Sequence, residues 1–329
     1  KTPTVAPAKP GDYLFYLRGL EVDKELHDLR GQGVTEGQLG TLAMAEGDLN
    51  EAVQRHQAAL ALFQRLQEPA MEAVAQHQLG RAFQEAKQWE QAERHYRESA
   101  VLKEKRGDLA SAARTWNQLA MVCERTGRPE VAETWYRKAI AAMQNPPNGD
   151  RGAVCLSNLA ELLQHQPGRL AEAHQLAEEA LAIKATLDPG AAEIWKTYSL
   201  LAKIAEQQSR PREATDYRRQ AREAKRGYAG TAHEMKRYSP LIAAVVLAIG
   251  GDAKAQTATE KYMAQLEKAG GENTELAAAL RRILSGDRDE EVLCAGIGLT
   301  ASMIIETLLH ALDDPSSRAA LLPQPKPED

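Results

Sequence analysis

Three cysteines in 329 residues, at Cys123, Cys155 and Cys294, are too few and too far apart for a disulfide framework. No CxxC pair is available to hold zinc. This usage fits a reducing compartment. Aromatic residues are scarce at 5%, which leaves little to fill a wide globular core or to stack nucleic-acid bases. The longest apolar run, Leu241 to Ile249, falls well short of the roughly 20 residues that span a bilayer. No secretory signal pattern opens the chain. A formal charge of −5 argues against a strongly basic nucleic-acid binder, whose affinity comes from neutralising phosphates. These absences lead to the expectation of a cytoplasmic protein with no membrane partner and no nucleic-acid partner. What the chain has in quantity is alanine: 56 residues against 16 aromatics. Alanine favours helix, and its small side chain lets helices approach closely. With 43% hydrophobic and 26% charged residues, the length suffices for one large or two ordinary domains. Lys1 and the following TPTVAPAKP have the composition of an extended linker, so a piece of a longer polypeptide is expected.

Self-similarity decides the architecture. Gln38–Gly40, Gln78–Gly80, Gln118–Ala120 and Asn158–Ala160 read QLG, QLG, QLA and NLA at intervals of 40, and Leu200–Ala202 follows after 42. About twelve residues beyond each stands an alanine: Ala52, Ala92, Ala132, Ala173 and Ala214. Seven further on are Ala59, Ser99, Ala139, Ala180 and Ala221. Turn formers separate the two runs of every unit, at Gly47-Asp48, Lys87-Gln88, Gly127-Arg128-Pro129, Pro167-Gly168 and Ser209-Arg210-Pro211. Each unit therefore reads as helix, turn, helix.

These spacings resemble the tetratricopeptide repeat (TPR), with a large residue at repeat position 4, Leu-Gly/Ala at 7 and 8, Ala at 20, an aromatic near 24 and a small residue at 27. Trp116 and Tyr198 occupy position 4, Tyr96 and Tyr136 position 24, and Trp89 position 17. The 40-residue period is longer than the standard 34. It is similar to the repeats of kinesin light chains and of the C-terminal arrays of bacterial multidomain regulators such as signal-transducing NTPases. The resemblance implies an all-α, right-handed superhelix (an α-solenoid) in which positions 8 and 20 face each other where paired helices cross. It covers about Val34 to Gly227. The expected organisation is a linker over 1–10, an N-terminal capping helix over 11–32 and five repeats over 33–72, 73–112, 113–152, 153–194 and 195–228. A C-terminal helical capping bundle over 229–313 and a disordered tail over 314–329 complete it. Within the bundle, helices are expected at Ser239–Ile249, with Ser239 as N-cap, from Asp252 to Ala269, and over Thr274–Leu284, Asp289–Cys294 and Leu299–Leu312.

Chemical motifs are sparse. Gly31, Gly33 and Gly37 are spaced GxGxxxG and follow a helical rather than a strand pattern, and Gly250–Lys254 lacks the GK[ST] ending of a phosphate loop. No HExxH pair occurs among the eight histidines; His77 and His95 fall on opposite helices of one repeat. The carboxylates Asp287, Asp289, Glu290 and Glu291 suit a helix start. Cys123 and Cys155 sit at packing positions. No enzyme activity, cofactor or metal is expected.

In TPR proteins, side chains at positions 2, 5, 9 and 12 of each first helix line a concave face. The resemblance thus implies a partner-binding groove of His77, Arg81 and Gln84, then Arg114, Asn117, Met121 and Glu124, then Ser157, Glu161 and Gln164, then Lys196, Ser199, Lys203 and Glu206. Position 6 adds the amide series Gln38, Gln78, Gln118 and Asn158, which can bond a peptide backbone or bridge adjacent helices. Position 9 holds Thr41, Arg81, Met121, Glu161 and Lys203, where related repeats often carry Asn. A second, basic surface is expected on the last repeat: Arg210, Arg212, Arg218, Arg219, Arg222, Lys225 and Arg226. It lies within a stretch to Arg237 that holds nine basic against four acidic residues. The expected function is a non-enzymatic module that binds a protein or peptide, or a flanking domain of its own polypeptide, as sensor of a larger bacterial regulator. The other reading is a homo-oligomerising scaffold that works through the C-terminal bundle and the arginine-rich repeat.

Overall fold

A computed structural model describes residues 10–143, 149–187, 192–228 and 231–321. The expected linker lies outside them apart from Pro10. Every regular element among the described residues is helical, and they divide into two compact units at Gln166 and Pro167. The first unit holds α1 (Pro10–Glu25), α2 (Leu29–Glu46), α3 (Leu49–Arg65), α4 (Pro69–Glu85), α5 (Trp89–Lys105), α6 (Leu109–Arg125), α7 (Pro129–Met143) and α8 (Gly149–Leu163). Each helix packs chiefly on its sequence neighbours. The pairs α2/α3, α4/α5 and α6/α7 are the first three repeats, and Leu29 opens the first of them ahead of residue 33.

One turn design recurs. A single residue in the left-handed region follows each of α1 to α6 (His27, Gly47, Gln67, Lys87, Gly107 and Gly127), and two backbone bonds close the Schellman pattern over it. At the α2–α3 turn, Gly47 has φ +85°, Asp48 N donates to Ala43 O at 2.9 Å and Gly47 N to Met44 O at 3.2 Å. The α4–α5 turn repeats this with Lys87 at φ +56°. Asp28, Asp48 and Asp108 then accept the backbone N–H of Gly31, Glu51 and Ser111, which caps the following helix.

Inside the stack, Leu39, Leu79, Leu119 and Leu159 are fully buried, as are Ala52, Ala92 and Ala132. A Cβ on Gly40 would meet the His56 ring at 2.7 Å and one on Gly80 the Tyr96 ring at 2.5 Å, so each glycine accommodates the ring at position 24. Tyr96 is fully buried and its hydroxyl is fixed to Gln84 at 2.9 Å, which leaves the ring nowhere to move. Gly80→Ala should therefore cost about 1–3 kcal/mol by overpacking, read as a lowered urea midpoint.

The second unit contains α9 (Leu170–Lys184), α10 (Ile194–Gln207), α11 (Pro211–Arg226), α12 (Thr231–Lys236), α13 (Ser239–Ile249), α14 (Ala253–Ala269), α15 (Glu272–Leu284), α16 (Glu290–Leu293), α17 (Leu299–Asp313) and α18 (Pro315–Leu321). The bundle core is built from α13, α14, α15 and α17 around Ile242, Val245, Leu280, Ile283, Ile305 and Leu308. Asp252 and Asp289 cap α14 and α16 by accepting from Ala255 N and Val292 N. Three expectations fail here. Ser239 is the first residue of α13 and makes no capping bond, because Tyr238 occupies the cap position. The short α12 was not anticipated. And α18 stands where a disordered tail was expected from 314: Asp314 accepts from Ser316 N and Ser317 N, and Arg318 donates to the α17 carbonyls of Ala311 and Leu312. Residues 322–329 lie outside the described residues. No helix among the described residues is long and apolar enough to cross a membrane.

Candidate functional site

Helices α4, α6 and α8 present successive repeats to one groove of the first unit. His77, Arg81, Arg114, Asn117, Gln118, Met143, Val154 and Cys155 enclose about 400 Å³ of it. Five of these were expected in the groove, and the structure brings them together. Two are guanidiniums and none is a carboxylate. Arg81 is exposed and held by Gln78, whose Oε1 accepts at 3.0 Å.

His77 is fixed from behind. Its Nδ1 lies 3.1 Å from Thr115 Oγ1, and Lys103 Nζ donates to that same oxygen at 2.8 Å. The ring packs against Tyr96 with centroids 5.3 Å apart. Burial, with Lys103, Arg114 and Arg81 nearby, pushes the imidazole pKa down to about 3, so His77 is neutral at physiological pH. Lys103 is itself buried, and loss of solvation with Arg114 close by brings its pKa down to about 8. A hydroxyl between an amine and an imidazole resembles an activated nucleophile. Thr115 is fully buried, however, and no substrate can reach it; the chain of bonds serves to orient His77. Lys184 Nζ and Thr197 Oγ1 repeat the amine–hydroxyl contact at 3.0 Å in the second unit.

Other expected groove residues are taken up by the scaffold. Gln84 and Glu124 at position 12 accept the hydroxyls of Tyr96 and Tyr136, at 2.9 and 3.3 Å. Asn158 donates to Asn117 Oδ1 at 3.0 Å, and Asn117 to the Met121 sulfur at 3.8 Å. Asn158 of the amide series thus bridges α8 to α6. Gln164 is buried, Ser157 is half-buried and Glu161 is exposed. Lys196, Ser199 and Lys203 stand on α10 in the second unit. There Lys196 pairs with Glu193 at 2.6 Å, Ser199 bonds back to Trp195 O, and Lys203 is exposed.

The expected basic surface is divided. Arg210, Arg212 and Arg219 are exposed and Arg218 is half-buried; Arg218 pairs with Glu206 and Arg219 with Asp216. Arg222 and Lys225 are buried, contrary to a surface role. Arg222 reaches Glu290 at 2.8 Å and Glu306 at 3.6 Å, Lys225 reaches Glu234 at 3.1 Å and Thr300 at 2.9 Å, and Arg226 also pairs with Glu306. These cations bind the bundle to the last repeat. Sequence reasoning took α11 in isolation, where their acidic partners, up to 84 positions downstream, are invisible.

The groove also contains residues that sequence reasoning passed over. Position 2 runs Val34, Val74, Arg114, Val154, and the three valines are exposed. The 40-residue register was sufficient to find them. Lys103 and Thr115 carried no such signal, since their pairing depends on how α5 meets α6. All three thiols are buried and unbonded to one another; burial raises Cys155 to about 12 and Cys294 to about 11, so both stay protonated.

Comparison with known proteins places this geometry. The tetratricopeptide repeat family model matches residues 32–105 and 111–186. No curated protein sequence matches. Among solved structures, BtubC (BKLC) from P. vanneervenii is similar at 22% identity and TM-score 0.58, over 64% of this chain and 89% of that one. The apo form of RapI is similar at 14% identity and TM-score 0.57, over 88% and 98%. A kinesin light chain from Podosopora anserina with nearly identical TPR-like repeats reaches 21% identity and TM-score 0.50, over 58% and 93%. At these identities the likeness is one of fold. With the helix pairs and the recurring turn already established, the match shows that residues 32–105 and 111–186 carry tetratricopeptide repeats.

Proposed function

We propose that this protein is a non-enzymatic recognition module that holds an extended segment of a partner, or of its own polypeptide, along the α4–α6–α8 groove. An anionic group of that segment sits among His77, Arg81 and Arg114. One observation carries the reading: an open volume of about 400 Å³ lined by two arginines and a neutral histidine, with no carboxylate among its lining residues. A pocket lining that holds two guanidiniums and no carboxylate favours a carboxylate or phosphate group and disfavours cationic partners. The module would serve as the partner-recognition part of a cytoplasmic bacterial regulator. The scaffold alternative loses support, since Arg222, Lys225 and Arg226 are occupied within the second unit.

The test is selection from a random 12-residue peptide library displayed on phage, followed by fluorescence anisotropy of an enriched peptide. Arg81→Glu and Arg114→Glu should each weaken binding at least tenfold, about 1.4 kcal/mol, while the circular dichroism spectrum stays unchanged. Full binding by both variants would remove the groove from the model.

A further inference from the structure

Helix α1 is the first of the stack, and its inner face is firmly held. Leu20 is buried, the Tyr13 hydroxyl donates to Glu51 and accepts from Arg55 at 3.4 Å, and the Asp23 carboxylate accepts from Thr35 Oγ1 at 2.9 Å. A terminal helix of a repeat stack needs a polar outer face to stay in water. The outer face of α1 is apolar. Phe15 and Leu26 are 72% and 73% exposed and Val22 51%. At about 100° per residue these three fall with Gly19 in one stripe about 60° wide, pointing away from Leu20. Leu26 lies one residue past α1 and continues its path, its N–H donating to Val22 O at 2.9 Å.

Glycine is a poor helix former in mid-helix, and the chain itself does not need Gly19, because a Cβ built there would meet nothing within 4 Å. In the same unit Gly33, Gly40 and Gly80 each admit a ring from another helix. A glycine in the middle of an outer apolar stripe therefore marks where a further helix can approach closely.

The stripe is complementary to itself. Phe15 and Leu26 are equally far from its midpoint, as are Gly19 and Val22. Two copies of α1 laid antiparallel about a two-fold axis thus set Phe15 against Leu26 and Val22 over Gly19, each contact made twice. The charges agree. Arg18, Glu21 and Glu25 are exposed, make no hydrogen bond or ion pair with the described residues, and lie along one flank of the stripe. In an antiparallel pair like flanks meet, which places Arg18 of each copy between Glu21 and Glu25 of the other. Those two carboxylates, four residues apart on one helix, repel each other until such a cation arrives. The nine residues before α1, KTPTVAPAK, offer Val5 as their largest apolar side chain, too little to cover Phe15, Val22 and Leu26.

We infer that the outer face of α1 is a self-association surface, through which a second copy of this chain pairs with the first in an antiparallel, two-fold arrangement. Two such faces together remove on the order of 1,000 Å² from water, the lower limit of a specific interface, so the dimer is weak and reversible. The pairing does not depend on what the groove binds.

Sedimentation velocity of the full chain from about 5 to 200 µM, the range in which so small an interface exchanges, should show a monomer giving way to a dimer. Val22→Glu puts a carboxylate into the stripe, and Gly19→Leu fills the point of close approach. Both should leave a monomer throughout, with an unchanged circular dichroism spectrum, since both positions face away from the chain's own core. Arg18→Glu sets three carboxylates together and should weaken the dimer at least tenfold. Adding Glu21→Arg and Glu25→Arg to it exchanges the charges and should restore the dimer. A wild-type chain that stays monomeric over the whole range would overturn the inference and leave the stripe to a different partner. A dimer that Val22→Glu and Gly19→Leu leave intact would overturn it too, because it would form elsewhere on the molecule. If the charge exchange fails to restore a dimer that Arg18→Glu weakens, the antiparallel pairing is wrong.

Discussion

Replacing Glu290 and Glu306 together by alanine should cost the second unit about 3–5 kcal/mol, the range for stranding a buried charge. Arg222 is the stranded group. It is 8% exposed and has Glu290 and Glu306 as its acidic neighbours, at 2.8 and 3.6 Å. Without them a guanidinium with little solvent is left beside α16 and α17. Introducing Arg222→Met into the double variant should recover most of the loss, because a buried ion pair replaced by apolar groups of similar size is often neutral or better. Chemical denaturation of the full chain reads both effects. A double variant as stable as wild type would mean that the α11–α17 contact does not depend on charge. Salt should matter little to this pairing, unlike the exposed Asp216–Arg219 pair, since burial limits screening.

Lys103→Met should stabilise the first unit at neutral pH and change how its stability depends on pH. The amine is 7% exposed, and its pKa falls from the usual 10.5 to about 8, because burial removes its water and Arg114 repels it. Below pH 8 both folded and unfolded chains carry the proton, so the penalty for burying the charge is fully present. Between about pH 8 and 10.5 the unfolded chain holds more protons than the folded one, so stability rises with pH. The full span of that rise is about 3 kcal/mol. Met143 occupies the matching position of the next repeat and is buried there without difficulty, so methionine fits this place in the register. The variant should gain about 1–3 kcal/mol at pH 7 and lose the alkaline rise. Denaturation at pH 7, 8, 9 and 10 checks both; a flat wild-type profile would show that Lys103 is better solvated than its position implies.

The helices of the repeats were legible because each is set by contacts within about 40 residues, and alanine, leucine and turn residues recur at that interval. The register by itself assigns Ala92 and Leu79 to the core, where both are fully buried. Helix boundaries in the bundle were legible for a similar reason: Asp252 and Asp289 announce their helices through a bond only three residues long. Legibility failed where a partner lies on a helix that the register does not reach. Arg222 looked like surface because Glu306 is far along the chain. Gln84 and Glu124 looked like ligands until the tyrosines of the following helices claimed them. Gly37 is the instructive case. The sequence presents it as one of three glycines near a phosphate motif, and only the empty space beside its Cα distinguishes it from Gly33.

The packing of each helix of the first unit on its sequence neighbours also bears on how the chain folds. Its strongest contacts join α2 to α3, α3 to α4, α4 to α5 and so on to α8. Little loop entropy is lost before a contact forms, so low contact order and fast folding are expected, in the microsecond-to-millisecond range of helical proteins. During synthesis, each helix pair can dock on the one already made without waiting for distant sequence. The groove would then be complete as soon as α8 has left the ribosome.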